Sequence, residues 1–396
     1  LFLASRTASQ RQADHHTPIL NMKLKKIAHV LHLWLGLPAG LLVCVIALTG
    51  SLYVFKPDIE WLTQPYRRVA SQEVALLPPS TLGANARTAL PGKTLQTLKY
   101  TADGRSVEAL FYGYDPPYYL SVFLDPYTGE VLKVHDNNKG FFAWVLDGHA
   151  YLWLKPSIGR TIVATATLVF VLILLTGLFL WWPKNRKGWK RALWFTWTRQ
   201  TGVKRKVFDT HNIPGFYVFF FALAVSLTGL VWGFQWFSEA TYSVTGGTKA
   251  LYAPTPTSVA LQKTAEPTFM SLNTALDRVF ERMLKENPDA RVVGIQFPTN
   301  DSAAIGATAN ASSSTYWKTD YRYFDRHTLT AIPSSSLYGR IEDASGADLL
   351  RRMNYDIHVG SIGGWAGKCL LFFVSLFIAS LPVSGFLIWW QRRKRK

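Results

Sequence analysis

Histidines at the edges of apolar runs are the residues of this sequence whose types and positions suggest chemistry. An imidazole binds metals and exchanges protons near neutral pH. Four histidines have this setting: His32, His149, His211 and His358. The apolar runs that follow them end in a hydroxyl residue and a glycine: Thr49-Gly50, Thr176-Gly177, Thr228-Gly229 and Ser384-Gly385. Gly50 follows His32 by 18 residues, and Gly229 follows His211 by the same 18. The repeated pattern predicts four related helices with one histidine each.

The apolar runs are long enough to cross a membrane. A helix of about 20 uncharged residues spans the hydrocarbon layer. The four predicted spans cover residues 30–55, 158–182, 213–237 and 366–390. The chain is 48% hydrophobic and still has a net charge of +18. A single soluble globule does not combine these values, whereas spans separated by charged loops do.

Lysine and arginine cluster at three places next to the predicted spans. Lys23, Lys25 and Lys26 precede the first span, residues 184–206 join the second to the third, and a basic tail follows the fourth. Because positive loops stay on the cytoplasmic side, we expect both termini in the cytoplasm and the two long loops outside it. The two cysteines, Cys44 and Cys369, lie inside predicted spans, so no disulfide framework is expected.

The two long loops have the alternating pattern of β-strands. In the first loop a short helix at 81–89 precedes strands at 97–100, 107–112, 118–124 and 130–134. In the second loop a helix at 271–284 precedes strands at 291–297, 302–309, 315–324 and 329–332. Helix, α+β module and helix therefore occur twice. Since both halves begin in the cytoplasm, we interpret them as a parallel repeat about the membrane normal.

These features divide the chain into segments. They are a disordered extension at 1–21, the first transmembrane helix at 22–55, the first outer module with its juxtamembrane segment at 56–157, the second helix at 158–182, a basic cytoplasmic loop at 183–212, the third helix at 213–237, the second outer module at 238–365, the fourth helix at 366–390 and a basic tail at 391–396. The predicted fold class is a membrane protein with a bundle of four transmembrane helices and two extracytoplasmic α+β modules.

The topology sorts the four histidines by side. His32 and His211 lie at cytoplasmic ends of spans, and His149 and His358 lie at outer ends. Two imidazoles on opposite sides of a flat macrocycle fill the two axial positions of a haem iron. Gly36 and Gly215 each lie one helical turn after a histidine, where the missing side chain lets a porphyrin edge approach the backbone. The pattern predicts one haem at each level of the membrane.

Other interpretations of these histidines stay open. Each histidine alone is equally explained by hydrogen bonds to headgroups or loop carbonyls. His29 lies one turn before His32 and is an alternative ligand, although it lacks the matched spacing. A carboxylate stands two residues before three of the histidines, as a partner for an imidazole proton or as a helix cap: Asp147, Asp209 and Asp356. A zinc or copper site, or a proton-coupled pump, lacks the ligands or buried acids that it needs.

The sequence resembles the PepSY-associated transmembrane family from Met22 to Trp390. The resemblance rests on these motifs: His32-Leu-Trp-Leu-Gly36, the hydroxyl–glycine steps, Asp147-Gly-His149, Asp209-Thr-His211-Asn, Asn354-Tyr-Asp-Ile-His358-Val-Gly360 and the hairpin Asp125-Pro-Tyr-Thr-Gly-Glu130. The second hairpin departs from the first, because it has Leu329 where the first has Gly129. We therefore expect the second module to keep the fold but not the same turn.

The resemblance implies two periplasmic PepSY modules, two b-type haems and a bacterial inner-membrane location. Members of the family include di-haem ferric-siderophore reductases of the ferrioxamine type, so it also implies a haem-dependent oxidoreductase that reduces Fe(III) and releases iron. The expected partners are a ferric siderophore, the lipid bilayer and a cytoplasmic or quinol electron donor, but no nucleic acid. Two rival hypotheses are a non-redox protein that binds or inhibits an extracytoplasmic protease, and a siderophore or metal permease.

Overall fold

The computed structural model describes residues 8–258 and 270–393, with side chains from residue 22 onwards. The helices are α1 Ala8–Val54, α2 Lys56–Thr63, α3 Pro79–Ala89, α4 Phe141–Tyr151, α5 Pro156–Trp181, α6 Arg186–Leu193, α7 Val203–Gly233, α8 Gln235–Val244, α9 Leu272–Glu286, α10 Gly346–Arg352, α11 Asn354–His358 and α12 Gly364–Arg393. The strands are β1 Leu95–Thr101, β2 Val107–Tyr114, β3 Pro117–Leu124, β4 Val131–Asp136, β5 Val292–Gln296, β6 Ile305–Asn310, β7 Asp320–Phe324 and β8 Ala331–Ile332.

The chain forms two compact units. The helix unit consists of Leu1–Val54, Val145–Phe234 and Cys369–Lys396, and the sheet unit consists of Phe55–Trp144 and Gln235–Lys368. Four helical segments are long and apolar enough to cross a membrane: Met22–Val54, Pro156–Trp181, Val203–Gly233 and Ser361–Arg393. They overlap the four predicted spans, so the prediction of four long apolar helices is confirmed.

Two predicted boundaries were wrong. Helix α1 begins at Ala8, so the predicted disordered extension is helical over residues 8–21, and residues 1–7 lie outside the described part. Helix α7 begins at Val203, not at residue 213, and therefore includes the end of the predicted basic loop. The absence of charge delimits the membrane-crossing stretch, whereas lysine and arginine continue a helix with little loss of propensity.

Apolar side chains from all four long helices form the core of the helix unit. The cluster contains Val43, Leu174, Phe219, Ala222, Val374 and Ile378. A Cβ atom added to Gly40 of α1 would lie 2.9 Å from Cβ of Pro382 in α12. A glycine at this contact lets the two helix backbones approach closely, as small residues do between membrane helices.

All eight strands belong to one antiparallel sheet with the order β4-β3-β2-β1-β5-β6-β7-β8. Strands β1 and β5 pair at its centre, with Leu98 opposite Ile295. The strands and their order along each half agree with the predicted pattern. The prediction of two separate modules was incomplete, because sequence alternation does not show that the first strand of each half exposes an edge that the other half pairs.

Helices α3 and α9 cover one face of this sheet. Their buried side chains, including Leu82, Leu276 and Phe280, pack on Leu98 and Phe111 in one hydrophobic cluster. Helix α9 begins at the predicted position because its N-cap Ser271 accepts a hydrogen bond from the Thr274 amide, which satisfies one of the free amides of the first turn.

The two equivalent hairpin turns have the same conformation. The Asp125 carboxylate accepts hydrogen bonds from the Tyr127 and Thr128 amides, and the Asp325 carboxylate accepts them from the His327 and Thr328 amides. Gly129 has a φ of 75°, and Leu329 has a φ of 59°. The expectation of a different second turn was therefore wrong. The aspartate side chain fixes the turn, and Leu329 adopts a left-handed conformation that costs roughly 1 kcal/mol for a side-chain-bearing residue.

Candidate functional site

The imidazoles of His32 in α1 and His211 in α7 face each other inside the helix unit. Their ring centroids are 6.4 Å apart, and the ring planes are nearly perpendicular at 89°. An iron about 2 Å from one nitrogen of each ring would place the centroids roughly 6.3 Å apart. The separation of the two rings thus fits one metal between them.

A group that we call the His32 seat holds the first imidazole. The seat consists of Ile173, Thr176 and Gly177 in α5. Nδ1 of His32 lies 3.1 Å from the Ile173 carbonyl oxygen and 3.2 Å from Oγ1 of Thr176. A carbonyl can only accept, so Nδ1 carries the proton and Nε2 keeps its lone pair for a ligand. A metal-binding histidine needs this tautomer.

The His211 seat consists of Leu381, Ser384 and Gly385 in α12. Nδ1 of His211 lies 2.9 Å from Oγ of Ser384. The Ser384 hydroxyl donates its own proton to the Leu381 carbonyl, at 3.0 Å, which leaves its oxygen free to accept from Nδ1. Nε2 of His211 therefore also keeps its lone pair.

The glycine of each seat makes room for the imidazole. A Cβ atom on Gly177 would lie 3.1 Å from Cε1 of His32, and one on Gly385 would lie 3.4 Å from Cε1 of His211. The hydroxyl–glycine step thus receives the histidine of a different helix. The steps are visible in the sequence but their partners are not, because spacing within one helix does not show which neighbour packs on it.

His149 has a third seat of the same kind within the helix unit. Its Nδ1 lies 2.8 Å from the Ile46 carbonyl oxygen, and a Cβ atom on Gly50 would lie 2.8 Å from its Cε1. The Thr49 hydroxyl donates to the same carbonyl at 3.0 Å. Burial lowers the pKa of His149, and its hydrogen bond to Ile46 opposes this shift. His149 belongs to the short helix α4, separate from the long helix α5 on which it was expected.

A cavity of about 420 Å³ contains the facing histidines. Apolar side chains form most of its wall: Val43, Phe170, Leu174, Phe219, Leu381 and Phe386. Gly36 and Gly215, predicted to leave space for a macrocycle, both line it. A Cβ atom on Gly36 would meet no atom within 4 Å, and one on Gly215 would meet only Cδ2 of Leu381 at 3.8 Å. Side chains at these positions would extend into free space of the cavity.

The ligand set at this cavity suits a flat macrocyclic metal complex. Over residues 22–258 and 270–393, no group of three or more His, Cys, Asp or Glu side chains comes together in a metal-binding cluster. The chain offers two imidazoles with free Nε2 atoms and an apolar wall. These features complete an iron that already has four porphyrin nitrogens, so the residues fit a haem.

The remaining predicted residues have different settings. His358 ends α11 in the sheet unit, whereas His149 belongs to the helix unit, so their pairing stays a prediction. His29 is exposed and lines the cavity, but the ring that faces His211 is that of His32. Asn212 lies beside His211 in the cavity wall.

The three carboxylates that precede histidines have structural surroundings. Asp209 accepts hydrogen bonds from Trp197 at 3.0 Å and Arg205 at 2.8 Å, and so fixes the basic loop to α7. Asp356 accepts from the backbone amides of Tyr316 and Trp317, both at 2.9 Å. Asp147 is exposed. The hydrogen bonds of Asp209 and Asp356 hold loops, which neither predicted role described.

The protein has four long apolar helices, and the segments that connect them form an antiparallel sheet. This combination defines a class of membrane protein that bears an α+β unit. The chain matches the family model described as the PepSY-associated TM region over residues 30–392, and it belongs to this family. A comparison with curated proteins finds no match.

Proposed function

We propose that this protein is a haem-dependent oxidoreductase of the bacterial inner membrane, which reduces Fe(III) in a ferric siderophore on the periplasmic side. The observation that carries the proposal is the facing of His32 and His211, 6.4 Å between centroids, with both Nδ1 atoms already hydrogen-bonded. A b-type haem bound at such a site supplies a one-electron couple whose potential the surrounding protein tunes.

The residues of the helix unit would act on this group in three ways. His32 and His211 would hold it through their Nε2 atoms. The two seats would hold the imidazoles in the ligating tautomer, which raises their basicity. Gly36 and Gly215 would leave the cavity wide enough for a macrocycle, and the apolar wall would keep water from the iron.

We infer a second haem held by His149 and His358. Two observations support this assignment. The sequence places both histidines at outer ends of spans, and His149 has its Nδ1 hydrogen-bonded to a carbonyl in the same manner as His32.

The charge distribution supports the direction of the reaction. Basic clusters beside the spans favour cytoplasmic termini, which would put the cavity at the cytoplasmic side and the sheet unit in the periplasm. Hard oxygen ligands bind Fe(III) far more tightly than Fe(II), so reduction at the periplasmic side would release the metal. The chain has no Gly-rich dinucleotide motif, and we expect a separate protein or a membrane quinol as donor.

Purification of the full chain from haem-sufficient cells tests the proposal. We expect a six-coordinate b-type spectrum with about two haems per chain, and oxidation of the reduced protein by ferric hydroxamate chelates. Colourless protein would overturn the proposal and favour the non-redox, protease-binding alternative. Movement of labelled chelate into vesicles without an electron source would favour a permease.

A further inference from the structure

One end of the cavity in the helix unit differs chemically from the rest. Most of the wall is apolar, but His29, Asn212 and Arg392 also line it. No aspartate or glutamate is among the lining residues that the structure describes. The cavity therefore combines an apolar body with a cationic group.

The helix geometry places His29 and Arg392 at the same end. Helices α1 and α12 run antiparallel, because Gly40 meets Pro382 while Val43 packs with Val374 and Ile378 further inside. His29 lies 11 residues before Gly40 and Arg392 lies 10 residues after Pro382. At about 1.5 Å per residue both lie roughly 15 Å from the contact, so they come level with each other.

The cationic side chain at this end has no carboxylate partner among the residues whose side chains the structure describes. Arg392 is exposed and makes no ion pair with the residues that the structure describes. Its neighbour Arg393 instead lies over the Trp389 ring, with the guanidinium carbon 5.1 Å from the ring centroid. A guanidinium at the edge of an acid-free cavity is suited to bind a carboxylate of a ligand, with two parallel hydrogen bonds.

We propose that His29 and Arg392 bind the carboxylate edge of the haem and thereby fix its orientation in the cavity. This inference rests on the proposed function. Protoporphyrin has two propionates on one edge and apolar substituents on the others. The apolar wall around Val43 and Phe219 excludes the charged edge, because burial of an unpaired carboxylate is costly. The propionates therefore point to the end where His29 and Arg392 lie, and His29 acts there as a hydrogen-bonding group, not as an axial ligand.

The experiment compares haem with its dimethyl ester, in which both carboxylates are neutral. Full-length protein stripped of haem is reconstituted with each compound, and the rate of transfer to apomyoglobin is measured. We expect Arg392→Gln to lose haem about tenfold faster than the wild type and the ester at an unchanged rate, since a charge-assisted hydrogen bond has been removed. Arg393→Gln is the matched control, because Arg393 is adjacent and also exposed, and it should behave as the wild type.

The outcomes separate this inference from the proposed function. Equal loss rates for haem in Arg392→Gln, Arg393→Gln and the wild type, with an intact bis-histidine spectrum, overturn the propionate assignment alone. Failure of the wild type to bind either compound overturns the proposed function. His29→Gln should keep the six-coordinate spectrum and lose haem faster; loss of six-coordination would instead show that His29 is an axial ligand and contradict its role here.

Discussion

The seats of His32 and His211 follow one plan but differ in the atom that receives the Nδ1 proton. In the His32 seat the direct partners are the Ile173 carbonyl and the Thr176 hydroxyl. In the His211 seat the close partner is the Ser384 hydroxyl, at 2.9 Å, and the Leu381 carbonyl is a second partner. Thr176 and Ser384 both donate to the carbonyl three residues earlier, Ile173 and Leu381 respectively.

The difference shows how firmly each tautomer is fixed. A helix carbonyl can only accept a hydrogen bond and cannot rotate, so it fixes the Nδ1 proton of His32. A hydroxyl can donate or accept, and Ser384 accepts from His211 only while its own proton is donated to the carbonyl of Leu381 or Ser380. The two axial positions of one metal would therefore have supports of unequal rigidity.

The largest effect is expected when either histidine is removed. His32→Ala and His211→Ala should each abolish binding at this cavity, because one imidazole cannot give six-coordinate iron, and about half of the haem should be lost. The measurement is haem content per chain with the optical spectrum. His135→Ala, in strand β4 of the sheet unit, is the control, and we expect it to keep the full haem content and six-coordination. Full haem content in either histidine variant would show that the two rings do not form one site.

Replacing each seat glycine with alanine should weaken haem binding, and the effect should be largest where the added Cβ has the least space. The added Cβ would lie 2.8 Å from Cε1 of His149 for Gly50→Ala, 3.1 Å from that of His32 for Gly177→Ala and 3.4 Å from that of His211 for Gly385→Ala. The first two require the ring to move, whereas the third is close to ordinary contact. We expect haem dissociation to accelerate in the same order, from roughly a hundredfold to a fewfold. An inverted order would contradict the seat geometry.

Removal of the seat hydroxyls should distinguish the two supports directly. Ser384→Ala deletes the close partner of His211 and leaves the Leu381 carbonyl, which is not within the 3.1 Å that joins His32 to Ile173. Thr176→Val deletes one partner of His32 but leaves the Ile173 carbonyl. Loss of a hydrogen-bond partner of a metal-bound histidine costs about 10- to 100-fold in affinity. We expect Ser384→Ala near that range and Thr176→Val about tenfold below it, measured as haem dissociation rates. Equal haem dissociation rates in the two variants would show that the Ile173 carbonyl does not hold His32 more firmly when the hydroxyl is removed.

The smallest effect on the protein itself is expected at the cavity glycines. Gly36→Ala and Gly215→Ala add a methyl group to open space, and alanine favours a helix by about 1 kcal/mol over glycine. The thermal stability of protein without haem should therefore be unchanged or slightly higher, while haem affinity falls because the methyl group occupies part of the cavity. A Gly36→Ala variant that binds haem normally would show that the macrocycle does not approach this part of α1.

Much of the architecture was predictable because it depends on the local periodicity of apolar and polar residues. Uncharged runs gave the four long helices, and alternation gave the strands. The facing of His32 and His211 agrees with matched positions in two helices. The seats were not predictable in the same way. Thr176 and Ser384 show no mark in their own helices of the histidine that each supports, since the hydrogen bonds join residues 144 and 173 positions apart.

Two further differences from the predictions have local causes. The turn at Leu329 has the conformation of the turn at Gly129, because the Asp325 carboxylate binds two turn amides whether or not a glycine follows. Asp209 was predicted either to accept an imidazole proton or to cap a helix, but the ion pair with Arg205 one turn earlier occupies its carboxylate. In both cases a hydrogen bond of an aspartate outweighed the residue preference on which the prediction depended.

The pairing of β1 with β5 has a consequence for the synthesis of this protein. The ribosome makes Thr101 about 190 residues before Val292, its partner across the centre of the sheet. At a synthesis rate of about 5 to 20 residues per second, β1 is made roughly 10 to 40 seconds before β5. During this interval the first four strands present a bare edge, which readily pairs with other chains. The edge of β1 in the nascent first half is therefore open to pairing with other chains until β5 has been made.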